Sequence, residues 1–139
     1  MDFYDLIDPF FLVEHEDRAD VCLYIISGYK KELFISRKKD GFNGTGYDWE
    51  SLAQAFIDEI MPEIKESIEF DSERGMFCAY SSDIEALKNF IVSFKNACED
   101  NELIDRVFSN TKPDIPPSPS ATDVLNMLTE MLGNLEIEK

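Results

Sequence analysis

The sequence has little of what catalytic and metal sites are usually made from. Its 139 residues include one histidine, His15, and three cysteines, Cys22, Cys78 and Cys98, with no Cys-x-x-Cys pair. A lone histidine excludes a site with several histidine ligands, and no recognisable nucleophile or orienting group stands beside His15. The cysteine spacing indicates neither a disulfide framework nor a zinc site. We therefore expect three buried, reduced thiols and no metal or other cofactor.

Basic residues are also scarce. The chain has 13 Lys plus Arg against 29 Asp plus Glu, which gives a formal net charge of -16. Such a field repels nucleic acid and anionic lipid and attracts basic partners, so nucleic-acid binding is not expected. Five basic residues form one stretch, which we interpret as a solvated edge strand: Lys30, Lys31, Arg37, Lys38 and Lys39.

Long hydrophobic runs are missing as well. The longest apolar runs span only a few residues, as at 21–26, and the N-terminus has no basic region of the kind that opens a signal peptide. We expect a cytoplasmic protein without membrane contact. Hydrophobic residues nevertheless make up 44% of the chain and include eleven Phe, so the chain should fold despite its charge.

The apolar patterns predict mainly antiparallel strands. Residues 10–16 and 21–26 fit one hairpin, and residues 67–71 and 75–81 fit a second. Residues 32–37 are a further apolar-centred run that fits a strand or, nearly as well, a short helix. We expect an α+β fold with a mainly antiparallel sheet of about five strands.

Helices are predicted between and after these hairpins. Apolar residues recur at helical spacing from Asp48, a natural N-cap, as far as Pro62, which ends or kinks the helix. Residues 82–85 read as a capping box that opens a second amphipathic helix, and a shorter helix follows at 102–108. These helices should pack on one face of the sheet.

The chain changes character near residue 110. Residues 110–120 contain four prolines and no apolar periodicity, which predicts an extended linker. We therefore expect an α+β domain over 1–109 and a C-terminal amphipathic helix over 121–139. An isolated helix of that length is marginal in water, so it should pack on its own domain, on a second copy in a homodimer, or on a partner.

The loop at residues 41–46 is glycine-rich but matches no phosphate-binding motif, and a lysine is missing from it. The residues after it are more distinctive, because Tyr47 and Asp48 precede the sole tryptophan, Trp49. In one interpretation Trp49 packs under the sheet edge while Asp48 caps the helix; in the other, exposed aromatic side chains anchor a partner. The candidate partner-binding residues are Asp40, Phe42, Asn43, Tyr47, Asp48, Trp49 and Glu50.

Two motifs carry a resemblance to a known family. The sequences GTGYDWESLA at 44–53 and MFCAYSS at 76–82 resemble the immunity protein 51 family of bacterial polymorphic toxin systems. The opening strand PFFLVE at 9–14 and the helix EALKNF at 85–90 are similar to that family too, so the resemblance covers about residues 9–109. It implies a non-enzymatic antidote that occludes a cognate toxin.

The net charge of the protein suggests which kind of toxin it would bind. An acidic surface suits a basic active cleft, and nucleases carry such clefts because they bind phosphate. Two other hypotheses remain: an acidic DNA-mimic or regulatory interaction module, and a small hydrolase that uses Asp or Glu with a metal.

Overall fold

The computed structural model of the chain describes residues 2–113. Its helices are α1 (Phe3–Ile7), α2 (Lys31–Ile35), α3 (Gly46–Ile60), α4 (Ile84–Glu99) and α5 (Asn101–Ser109). Its strands are β1 (Phe11–Glu14), β2 (Ala19–Tyr24), β3 (Glu69–Phe70) and β4 (Met76–Ser81). They form one antiparallel sheet in the order β1-β2-β4-β3. The α+β class is confirmed, with four strands in the described part of the chain where about five are predicted.

Alternation along the strands divides the sheet into two faces. Ala19, Val21 and Leu23 of β2 are buried in the main hydrophobic core. The core lies between the sheet and two helices, since α3 packs on β4 and α4 packs on both β2 and β4. The intervening residues, such as Cys22, face the other side of the sheet.

The amphipathic pattern of α4 is confirmed by burial. Five apolar residues of its predicted face are completely buried: Leu87, Phe90, Ile91, Phe94 and Cys98. The following helix, α5, matches the predicted segment 102–108 to within one residue at each end. Local periodicity was sufficient here because both helices present a continuous apolar stripe to the core.

Of the two interpretations of residues 32–37, the strand is wrong and the short helix is confirmed, since α2 spans Lys31–Ile35. The edge-strand interpretation of the basic stretch is wrong as well. The helix α2 buries Phe34 and leaves most of its other side chains in water. The strand before it ends at Tyr24, and Lys30, with a left-handed backbone φ of 54°, is the N-cap residue of α2. A five-residue helix that buries one side chain is too short to show a helical period in the sequence.

Both predicted helix caps are displaced. The N-cap of α3 is Thr45, whose side chain accepts from the Asp48 backbone N–H, so Asp48 is the third residue of the helix and not its cap. The N-cap of α4 is Asp83, which accepts from the Ala86 backbone N–H, in place of the expected cap at Ser82. In both cases a second side chain that can accept a hydrogen bond lies within three residues of the N-cap, and the packed helix selects one of the two.

The folded unit includes residues just beyond α5. Arg37 donates hydrogen bonds to the backbone oxygens of Phe108 and Thr111, and Thr111 is itself buried. The predicted domain boundary at residue 109 stays a prediction, although these contacts attach residues 110 and 111 to the same unit. From residue 114 onward, the predicted linker lies outside the described residues. The predicted helix and homodimer contact over 121–139 lie wholly outside them.

One close approach locks α3 to the β3–β4 hairpin. The N–H of Gly46 donates to the Arg74 carbonyl at 2.8 Å. A Cβ atom at residue 46 would overlap the carbonyl oxygens of Glu73 and Met76. Only glycine fits here, because both neighbours are backbone atoms that cannot turn away.

We therefore expect Gly46→Ala to lower the free energy of unfolding by about 3 kcal/mol or more, because the added methyl must separate the helix from the hairpin. Urea denaturation measures the change. Gly75→Ala is the matched control, since a Cβ there would meet no heavy atom within 4 Å. Equal stability of the two variants would contradict the close approach.

Candidate partner-binding site

A cleft of about 480 Å³ opens beyond the end of β2. It lies between the turn that follows this strand, α2 and the loop that precedes α3. Its floor is aromatic and buried, since Phe34, Phe42 and Trp49 are each at most 2% exposed. The floor belongs to the main core, so the shape of the cleft is set by packing that exists before any partner arrives.

The rim of the cleft exposes large apolar side chains to water. Ile26 is 95% exposed, and Tyr24 and Ile35 are each 55% exposed. Single exposed apolar residues are ordinary, but several of them around one concave surface mark an interaction site. The rim around Ile26 is therefore the strongest candidate for a partner contact on the described residues.

A tight turn places Ile26 at the rim. Residues Ile25–Ser27 form a single 3₁₀ turn, which Gly28 closes with a φ of 74° and an N–H bond to the Ile25 carbonyl. The N–H of Ile25 in turn donates to the Gly75 carbonyl at 3.0 Å. The backbone on either side of Ile26 is thus hydrogen-bonded, so little ordering entropy remains to be lost on binding.

The rim is locally basic, although the chain as a whole is acidic. Lys31 and Lys38 line the cleft, and within residues 2–113 no carboxylate lies within ion-pair distance of either. Arg37 differs, because Asp40 binds it at 2.8 Å and the Phe42 ring lies under its guanidinium group. The two lysines therefore present positive charge beside an apolar surface.

Asp48 holds the loop that forms one wall of the cleft. Its buried carboxylate accepts backbone N–H bonds from Asn43 at 2.6 Å, Gly44 at 2.8 Å and Thr45 at 3.4 Å. Gly44 takes a positive φ of 73°, which turns the chain so that successive N–H groups converge on one oxygen atom. The role of Asp48 is therefore to fix the conformation of this loop.

The seven candidate binding residues are distributed between surface and core. Asp40 and Asn43 are exposed, Tyr47 and Glu50 are partly exposed, and Phe42, Asp48 and Trp49 are buried. Burial decides between the two interpretations of Trp49 in favour of packing. Phe42, Asn43 and Trp49 all line the cleft, the first and last as its floor. Partner contact by this set stays a prediction.

Sequence reasoning missed the apolar rim. The apolar run at 21–26 predicts a strand that includes Ile26, whereas β2 ends at Tyr24. A weak signal was present in the sequence, because Ile25 and Ile26 are followed by Ser27 and Gly28, a pair typical of turns. That pattern could have ended the strand earlier, but it could not have shown which isoleucine faces water.

A comparison with protein-family models matches residues 10–113 to immunity protein 51. The chain belongs to the immunity protein 51 family. The match includes all four strands and the whole cleft, so the site lies inside the part that defines this family. Comparisons with curated proteins and with solved structures gave no significant match.

The family name implies an immunity protein that acts against a toxin, and such families are generally non-enzymatic. Among residues 2–113 of this immunity protein 51 family member, no group of three or more His, Cys, Asp or Glu side chains is arranged to hold a metal ion. None of the helices described for the chain has the length and apolar character needed to span a bilayer.

Replacing Asp48 by alanine should loosen the wall of the cleft. Asp48→Ala leaves three backbone N–H groups without their acceptor, and we expect the free energy of unfolding to fall by about 3 kcal/mol. Asp40→Ala, in the same loop, removes only an exposed ion pair and should cost less than about 1 kcal/mol. Chemical denaturation checks both, and similar losses would contradict the role given to Asp48.

Proposed function

We propose that this protein neutralises a cognate bacterial toxin domain by binding it and occluding its active site, with the cleft around Ile26 as the central contact. The observation that supports the proposal most is the pairing of a preformed aromatic floor with an isoleucine that is 95% exposed. Rigid concave sites with apolar anchors are where binding energy concentrates in protein interfaces.

Burial of the rim would supply much of the affinity. Ile26 has nearly its whole side chain to remove from water, and the rings and aliphatic chains next to it can enclose an inserted apolar group. Transfer of apolar surface from water contributes roughly 25 cal/mol for each Å². Lys31 and Lys38 would face carboxylates at the edge of the partner surface and so set its orientation.

The net charge supports a nuclease as the target. A field from a formal charge of -16 accelerates association with a basic surface, and nucleases need basic clefts to bind phosphate. The basic residues at the rim of the cleft are Lys31 and Lys38, whereas the chain as a whole has 29 Asp plus Glu. In this proposal the wider acidic surface covers the nuclease cleft, and the apolar anchor determines how long the complex lasts.

Ile26→Asp tests the anchor. With the toxin domain encoded beside this protein as the binding partner, we expect the dissociation constant to rise about 30-fold or more, the effect of losing a hot spot of about 2 kcal/mol. Leu6→Asp is the matched control, because Leu6 is 45% exposed and lies outside the cleft. If both variants bound the toxin equally well and their thermal unfolding were unchanged, Ile26 would not be part of the interface.

Salt and substrate competition test the nuclease hypothesis. We expect the association rate constant to fall as ionic strength rises while the dissociation rate changes little, because salt screens long-range attraction more than packed contacts.

A substrate oligonucleotide should compete with this protein for the toxin. A toxin that is bound tightly but does not bind nucleic acid would contradict the nuclease target. If duplex DNA competed with this protein for binding to several unrelated DNA-binding proteins, the result would favour the DNA-mimic alternative.

A further inference from the structure

Two cysteines that are distant in the sequence meet on the outer face of the sheet. Cys22 of β2 is directly opposite Cys78 of β4 in the strand register. Their Sγ atoms are 3.3 Å apart. Among the described residues the helices that pack on these strands lie on the opposite face, with the hydrophobic core.

The backbone hydrogen bonds define the geometry of this pair. The carbonyl of Cys78 accepts from the Asp71 N–H at 3.0 Å, and the N–H of Cys78 donates to the Ser72 hydroxyl at 3.0 Å. Both backbone groups of Cys78 therefore point towards β3 and away from β2. Cys22 and Cys78 are thus a non-hydrogen-bonded pair, in which the Cα atoms of opposed residues lie about 4.5 Å apart. Disulfides span Cα separations of about 4.4 to 6.8 Å.

The third cysteine has different surroundings. Cys98 of α4 is completely buried in the core, whereas Cys22 and Cys78 keep exposed fractions of 6% and 8%. Cys22 and Cys78 are therefore nearer to solvent than Cys98 and lie on the face of the sheet away from the core. No cysteine lies beside Cys98 within residues 2–113.

We propose that Cys22 and Cys78 form an oxidation site that takes a peroxide and closes to a cross-strand disulfide. One thiolate attacks a peroxide oxygen, the O–O bond breaks, and a sulfenic acid and one water form. The second thiol then attacks the sulfenic sulfur, forms the S–S bond and releases a second water. The two thiols lose two hydrogens and two electrons in total, and hydrogen peroxide is reduced to two waters.

The proximity of the two thiols favours the first step. The hydrogen bond between the Cys22 and Cys78 side chains lowers the pKa of Cys22, since it stabilises the thiolate against the cost of burial. The same interaction, together with burial, raises the pKa of Cys78. One of the two sulfurs is thus deprotonated more readily than an isolated buried thiol, and its neighbour is in position to resolve the sulfenic acid.

The test treats the reduced, full-length protein with hydrogen peroxide under native conditions. We expect free thiols, counted after unfolding, to fall from three to one, and the intact mass to fall by two hydrogen atoms. Peptide mapping should find Cys22 joined to Cys78, and a thiol reductant should restore all three thiols. Cys98→Ser is the matched control, and it should form the same disulfide and lose both of its free thiols.

Single variants test the resolving step. Cys22→Ser and Cys78→Ser should each form no intramolecular disulfide, and in Cys78→Ser dimedone should trap the sulfenic acid that forms on Cys22. Three results would overturn the proposal: three free thiols after peroxide treatment of the wild-type protein, a disulfide that includes Cys98, or a reductant-sensitive dimer in place of the internal bond. The wild-type measurement alone is decisive should a serine variant fail to fold.

Discussion

The packing of Trp49 is the interaction on which the other parts of this structure depend. Its indole contacts five aromatic rings at centroid distances from 5.1 to 6.4 Å, those of Phe10, Tyr29, Phe34, Phe77 and Phe94. These residues come from the sheet, from α2, from α4 and from the segments beside them. Aromatic pairs of this kind contribute beyond the area they bury, and here they join the elements that surround the cleft.

The same packing separates the core from the candidate binding surface. With Trp49 and Phe34 filling the interior, α2 is held close to the end of β2, and a cleft remains between them. The aromatic residues therefore support the site from below, while Ile26 and the lysines at the rim are free to contact a partner. In the proposed complex, charge would govern how fast the partners meet and this rim how long they stay together.

Several predictions rested on patterns that the fold preserves. Both hairpins and the stripe of α4 were recovered because strand alternation and helical periodicity are local properties. The pattern of residues 32–37 fits a strand or a short helix nearly equally well, because the one buried residue of α2, Phe34, cannot establish a period. The caps were displaced by one position at α4 and by three at α3, since Thr45 and Asp48 are both competent acceptors. The packed position of α3 decides which of these two residues is the N-cap.

The sequence by itself determined the acidic charge, the α+β class, the main helices and the family resemblance, because composition, periodicity and motifs are readable along one chain. Tertiary structure decided which aromatic residues near Trp49 are buried, that Ile26 stands in water at the rim of a cleft, and that Cys22 meets Cys78. Each of these properties is a relation between segments that are far apart in sequence. Such relations exist only after the sheet has set its register and the helices have covered one of its faces.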